Sequence, residues 1–153
     1  MDDLDRIMSV MEVAFDPHWG EAWNRRQVGD SLVLPHTHYR LICPAGAWPE
    51  EDADAAGFYL ARNLAGEEEL LLFAIVPAMR GRGLGRKLLA QFKRDADRRG
   101  AHRLFLEMRD NNPAERLYRA AGFAPSGRRP AYYRLNDGTR LDAITFTYEA
   151  DKL

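Results

Sequence analysis

The sequence predicts an α/β (α+β) fold, a sheet flanked by helices, in one domain spanning residues 1–153. Three observations carry this. An apolar, strand-like run, Leu70 to Val76, stops at Pro77 and passes through a basic glycine turn, Arg80-Gly81-Arg82-Gly83-Leu84-Gly85-Arg86. It resumes with helical spacing at Leu84, Leu88, Leu89, Phe92 and Ala96. Strand-like and helix-like runs alternate along the rest of the chain. With 46% hydrophobic residues and no break in composition, 153 residues can bury one sizeable core.

Taken in order, Leu4, Ile7, Met8, Met11 and Phe15 recur at helical spacing behind Asp2 or Asp3 as N-cap, and Asp16-Pro17 stops that helix. A second, shorter helix is expected from Glu21 to Val28, ended by Gly29, although the Trp19/Trp23 pair fits an ordered loop equally well. His36-Thr37-His38 would set both imidazoles on one face of an extended segment, but no third ligand lies nearby and no metal site is expected. Tyr39 to Cys43 reads as a strand and Pro44 to Asp54 as an exposed loop. Ala55 to Leu64 is a strand, Ala65-Gly66 a turn, and Glu69 to Val76 a strand buried on both faces. Beyond the helix that Gly100 closes, Arg103 to Met108 is a strand with Leu104 and Leu106 on one side and Phe105 and Glu107 on the other. Asn111-Asn112-Pro113 breaks the chain before a short helix, Ala114 to Ala121, which carries Tyr118 and ends at Gly122. Asn136-Asp137-Gly138 is a hairpin-type turn, and Ile144, Phe146 and Tyr148 alternate in a closing strand.

Composition narrows the function. A formal net charge of -1 provides no global field for nucleic acid, so none is expected as a partner. Cys43 is the only cysteine, which excludes an internal disulfide framework and reads as a small half-buried hydrophobe. Asp2, Asp3 and Asp5 stand where a targeting segment would be basic, and no apolar run reaches membrane-spanning length; the expectation is a cytoplasmic protein without a membrane partner.

A strand, a basic glycine turn and a helix start together make a seat for phosphate. Glycines admit close backbone approach, and the first turn of a helix offers unpaired N–H groups. A Walker A loop needs lysine and then a hydroxyl residue after its last glycine, whereas Gly85 is followed by Arg86-Lys87-Leu88. The dinucleotide fingerprint needs a glycine where Arg86 stands. The form that fits is Arg-x-x-Gly-x-Gly, met by Arg80 to Gly85 between a strand and an amphipathic helix.

That form resembles the acetyl-CoA loop of the GCN5-related N-acetyltransferase (GNAT) superfamily. Further along stand Leu106-Glu107-Met108-Arg109, Asn111-Asn112, Leu117-Tyr118, Gly122-Phe123, Arg129, Tyr132-Tyr133, Asp137-Gly138 and Asp142-Ala143. In sequence these resemble the bacterial ribosomal-protein-alanine N-acetyltransferases of the RimI type. The resemblance is strong from about Gly57 to Glu149 and thin before it. The interval from Glu107 to Tyr118 is one residue shorter than the family's usual one, which leaves the matching asparagine open between Asn111 and Asn112.

The resemblance implies a central mixed, mostly antiparallel twisted sheet of about six to seven strands with about four helices. It implies an acetyl-CoA-dependent N-acetyltransferase, with acetyl-CoA as cosubstrate and no metal. The acceptor would be a protein N-terminal α-amine, on a ribosomal protein in that type, attacked directly in a ternary complex. A small-molecule amine or lysine side chain, or a non-catalytic acetyl-CoA-binding module, are the alternatives. An α-amine has a pKa of about 7.7–8.0, so a base must remove a proton at neutral pH. Glu107 is the candidate base, because a carboxylate on a partly dry face beside Phe105 gains basicity. By resemblance, Tyr118 donates a proton to the departing sulfur. Ala74, Ile75 and Val76 hold the thioester, with backbone N–H groups near Ile75 and Val76 polarising its carbonyl where a local irregularity splays the strand. Arg80, Gly81, Arg82, Gly83, Leu84, Gly85 and Arg86 cradle the pyrophosphate, with Arg80 serving loop and cofactor alike and Asn111 or Asn112 as a further contact. Tyr132 and Tyr133 line the acceptor's entrance or pack across strands.

Overall fold

Helix α1 (Asp3–Ala14) opens behind Asp2, whose carboxylate accepts from the Asp5 N–H at 2.8 Å, and it turns Ile7, Met8, Val10 and Met11 inward. This is a computed structural model, which describes residues 2–49 and 53–149. After α1 come α2 (Arg25–Leu32), β1 (Thr37–Ile42), β2 (Gly57–Leu64) and β3 (Glu67–Ile75). The glycine turn leads into α3 (Leu84–Arg98), then β4 (Arg103–Arg109), α4 (Glu115–Ala120), β5 (Ala124–Arg134) and β6 (Arg140–Glu149). The six strands form one sheet in the order β1-β2-β3-β4-β6-β5, parallel only between β3 and β4. Six strands and four helices match the expected mixed, mostly antiparallel architecture.

Strands with apolar residues on both faces need cover on both sides. On one side α1 and α2 bury Ile7, Val10 and Met11 against Leu41, Phe58, Leu60, Leu72 and Ala74. On the other, α3 and α4 bury Leu88, Leu89, Phe92 and Tyr118 against Tyr59, Leu70, Ile75, Leu104 and Phe146. Leu70 and Leu72 thus lie on opposite faces, although residues two apart in a regular strand share one. The cause is a bulge. Leu60 is opposite Leu72 and Ala61 is opposite Leu70, so Leu71 is an extra residue that reverses the alternation of β3. The irregularity expected near Ile75 and Val76 therefore sits earlier, at Leu71.

The bulge falls where β3 and β4 part. Their parallel ladder holds only Glu67–Arg103, Glu68–Leu104 and Glu69–Phe105. Beyond it β3 stays with β2 as far as Ile75, and β4 stays with β6 as far as Arg109. A wedge-shaped gap opens between them.

Two polar clamps fix the closed end of the wedge to α3. Asp95 accepts from Arg40 Nε at 2.7 Å and from the Tyr59 hydroxyl at 2.6 Å. Glu68, 0% exposed, accepts from Arg99 Nε at 2.8 Å and Nη2 at 2.5 Å. One helix starts later than the sequence predicts. The second helix is Arg25–Leu32, because Asn24 and Gln27 form a reciprocal capping box, and Gly29 lies inside it. The segment before it, including Glu21, is left as loop. Of the expected Pro44–Asp54 loop, residues 50–52 lie outside the described residues.

Removing one partner of a buried ion pair strands the other. Glu68→Ala should cost about 3 kcal/mol, the lower end of the usual range because Arg99 keeps 21% of its side chain exposed. A urea midpoint lowered at constant m-value is the expected result, and an unchanged midpoint would refute the clamp.

Candidate active site

The open end of the wedge presents backbone. Val76 N–H donates to Ala56 O at 2.8 Å, which directs that residue toward β2. Alternation along an antiparallel ladder then turns the N–H groups of Ile75 and Phe73 away from β2, toward the gap. The Ile75 carbonyl is already held by Arg80 Nε at 3.1 Å. Of the two residues expected to polarise a carbonyl, Ile75 turns its N–H toward the gap, whereas Val76 donates its own to Ala56.

Two clefts meet across this gap. One, of about 560 Å³, is lined by Ala74, Ile75, Arg80, Gly81, Leu84, Gly85, Arg109 and Leu117, among others. The other, of about 390 Å³, is lined by Trp23, Leu106, Glu107 and Tyr133, among others. Phe15, Trp19, Glu21, Phe73, Asn112 and Tyr118 line both.

The first cleft ends at the start of α3. Gly81 (φ 78°) and Gly83 (φ 81°) take the left-handed backbone that admits few other residues, and they wrap the turn tightly onto the helix. Gly83 is the N-cap and no side chain caps the first turn, so its N–H groups stay available. Arg82 and Arg86 are exposed at its edge and make no ion pair among the described residues. An anion is what such a surface fits. Arg80 differs from its neighbours. Besides Ile75 O, it donates through Nη2 to Ala14 O at 2.9 Å, tying the turn to the C-terminal end of α1.

In the second cleft, Glu107 projects from β4 with 21% of its side chain exposed, and Arg129 Nε lies 3.3 Å from its Oε2. The Arg129 guanidinium lies 5.1 Å from the Tyr132 ring centre, and Tyr132 meets Tyr133 edge-on at 5.2 Å. That arrangement follows from a kink in β5. Arg129 pairs with Ala143 but Tyr133 with Leu141, so the strand bows out between them. Ala131 takes φ 53° there, with its N–H on Asp142 Oδ1 at 2.8 Å. Burial, then the charges of Glu107 and Glu21, push the Tyr133 hydroxyl up to about 12. Tyr118 is buried between Phe73 and Phe123, and burial followed by the charge of Glu21 raises its hydroxyl well above the ordinary tyrosine range.

Most of the sequence-derived site residues converge on the two clefts. Glu107, Tyr118, Tyr133, Ala74, Ile75, Arg80, Gly81, Leu84 and Gly85 line them; Val76, Arg82, Gly83, Arg86 and Tyr132 do not. Of the two asparagines, Asn112 lines both clefts, its Oδ1 accepting the Ala114 N–H at 2.9 Å. Asn111 instead has φ 68° and accepts from Arg109 Nη1 at 2.6 Å. Glu21 and Arg109 line the site without having been singled out from sequence, because the contact joining them is distant along the chain. No group of three or more metal-ligating side chains occurs among the described residues. No helix there is long and apolar enough to cross a membrane.

Comparison with known proteins bears on this geometry directly. Residues 4–123 match the model of the acetyltransferase (GNAT) family. The chain belongs to the GNAT family. It is an N-acetyltransferase, 32% identical over 142 residues to the [ribosomal protein bS18]-alanine N-acetyltransferase of Haemophilus influenzae, covering 93% of this chain and 89% of that protein. The ribosomal-protein-S18-alanine N-acetyltransferase structure from Escherichia coli shares the fold, with a TM-score of 0.78 and 24% identity over 99% of this chain and 92% of that one. GNAT enzymes use acetyl-CoA. The yncA protein of Salmonella typhimurium, solved with its cofactor acetyl-CoA, aligns with a TM-score of 0.58 and 26% identity, covering 65% of this chain and 61% of that one.

Because the Arg80 guanidinium is committed to two carbonyls, Arg80→Ala should destabilise this GNAT enzyme even without ligand. We expect a loss of about 1–2 kcal/mol, or roughly 2–6 °C in thermal midpoint. An unchanged midpoint combined with weaker acetyl-CoA binding would assign Arg80 to the ligand instead.

Proposed function

We propose that this GNAT enzyme acetylates the N-terminal α-amine of a protein, of the ribosomal-protein-alanine type, by direct attack in a ternary complex. The observation that carries the proposal is the meeting of two clefts at Phe73, Asn112 and Tyr118, with an anion seat at the end of one and Glu107 in the lining of the other. The bS18-alanine acceptor named for the Haemophilus influenzae relative supports the acceptor class.

The first cleft fits acetyl-CoA. The free N–H groups at the start of α3, with Arg82 and Arg86 beside them, suit a pyrophosphate, and Ile75 offers its N–H across the gap. The bound thioester supplies an electrophilic carbon and a thiol leaving group. Glu107 accepts one proton from the acceptor ammonium, freeing the lone pair for attack. The new C–N bond forms as the C–S bond breaks, and the nitrogen sheds its surplus proton as the amide forms, balancing the one the departing sulfur takes up. Tyr118, protonated at any working pH because burial raises its hydroxyl, has a proton to offer the sulfur. Its share is modest, since a thiol of pKa about 8.5 leaves tolerably without help. Cys43 lines neither cleft, in keeping with transfer that passes through no acyl-enzyme.

Glu107→Gln removes the proton acceptor, leaving only amine that is already neutral to react. With an alanine-starting peptide, kcat/KM should fall about a hundredfold at pH 7. In the variant it should then climb about tenfold per pH unit up to the amine pKa near 8. Tyr118→Phe should lose about tenfold. A Glu107→Gln enzyme within twofold of wild type, with an unaltered pH profile, would refute Glu107 as the base. Efficient use of polyamines or aminoglycosides but not peptides would refute the acceptor class.

A further inference from the structure

Arg109 is an arginine with nowhere to go. It is 7% exposed, and its Nε makes no hydrogen bond among the described residues. Its guanidinium lies 3.7 Å from the centre of the Trp19 ring and donates through Nη1 to Asn111 Oδ1. The Nε side faces Glu21, whose Oε1 lies 3.4 Å away. A buried guanidinium fixed in this way holds a facing carboxylate in place.

Glu21 stands in the loop between α1 and α2, with 26% of its side chain exposed. Its contact with Arg109 is its one ion pair among the described residues, and no hydrogen bond from them reaches either oxygen. It is also the acidic residue shared by the two clefts; Glu107 lines only one and Asp16 only the other. An anion anchored on one side and open on the other, between Phe15, Trp19 and Tyr118, is matched by a cation entering the junction.

We propose that Glu21, positioned by Arg109, is the binding group for the acceptor's α-ammonium, distinct from the base Glu107. This rests on the acyl-transfer reading of the same clefts. Glu107 cannot do both tasks at once, because a carboxylate that takes up the proton loses the charge that held the ammonium. The ammonium has three N–H bonds. Glu21 holds one of them while Glu107 takes the proton of another, and the freed amine then turns about its Cα–N bond to bring its lone pair to the thioester carbon. The proton passes to Glu107, while Glu21 keeps its contact with Arg109. The other charged or titratable groups are Tyr118 at the junction and Tyr133 in the second cleft, both held protonated, with Asp16 and Arg80 along the first cleft.

The test is calorimetric binding of an alanine-starting peptide and of its counterpart lacking the amino group, each to the CoA-bound protein. Wild type should prefer the free amine at least tenfold. Glu21→Gln, which keeps an oxygen for Arg109, should abolish that preference, Glu21→Asp should restore part of it, and Glu107→Gln should retain it. In turnover, Glu21→Gln should raise the peptide KM about tenfold with kcat within threefold. No preference in wild type, its survival in Glu21→Gln, or its loss in Glu107→Gln alone would each overturn the proposal. A Glu21-dependent preference without turnover of any peptide would refute α-amine acetylation and leave this assignment standing. Turnover indifferent to Glu21 would do the reverse.

Discussion

An interrupted ladder governs this molecule. Backbone N–H and C=O groups require partners, and a strand pair that stops after three residue pairs leaves a row of them open. The gap persists because each strand is tied on its other side, β3 to β2 and β4 to β6, while the closed end is pinned to α3 by the Glu68–Arg99 pair. The Leu71 bulge makes the divergence compatible with two cores. By reversing the alternation of β3, it lets one strand supply Leu70 to the α3 side and Leu72 to the α1 side. Open backbone at the centre of a sheet is the kind of surface that an acyl carbonyl can complete.

The elements around the gap divide charge between its two ends. Arg82 and Arg86, without an ion pair among the described residues, stand at the α3 end, whereas elsewhere arginines are matched to carboxylates, Arg129 to Glu107 at the second cleft and Arg109 to Glu21 at the junction. A polyanionic donor and a cationic acceptor would thus approach from opposite sides and meet at Tyr118. The overall net charge of -1 hides this polarity completely. Local arrangement decides the electrostatics, and bulk composition does not.

What the sequence made legible was local. The glycine turn, α3, β4 and the Tyr118 helix all carry strong short-range signals: positive-φ glycines, apolar spacing, a proline after asparagine. Misplacement came where two local signals competed or where none existed. Gly29 looked like a helix end, but the Asn24–Gln27 capping box sets the start later, and the glycine is carried through the helix at Leu4. The bulge at Leu71 left no trace, because a run of leucines shows no alternation to break. Arg80 reads in sequence as serving loop and cofactor alike, and its bonds to Ile75 O and Ala14 O supply the loop half of that role. Asn111 and Asn112 likewise differ in conformation: with a left-handed backbone Asn111 bonds to Arg109, whereas Asn112 lines both clefts. Glu21 gains its meaning from Arg109, which no local pattern connects to it.

The central claim is that donor and acceptor clefts converge on one reacting point. A conjugate joining the CoA sulfur through an acetyl bridge to the α-nitrogen of an alanine-starting peptide spans both clefts at once. If they converge as described, calorimetry should find the conjugate at least about a hundredfold tighter than CoA or the peptide alone, since tethering makes the second binding event intramolecular. A conjugate that binds no tighter than CoA would contradict the account.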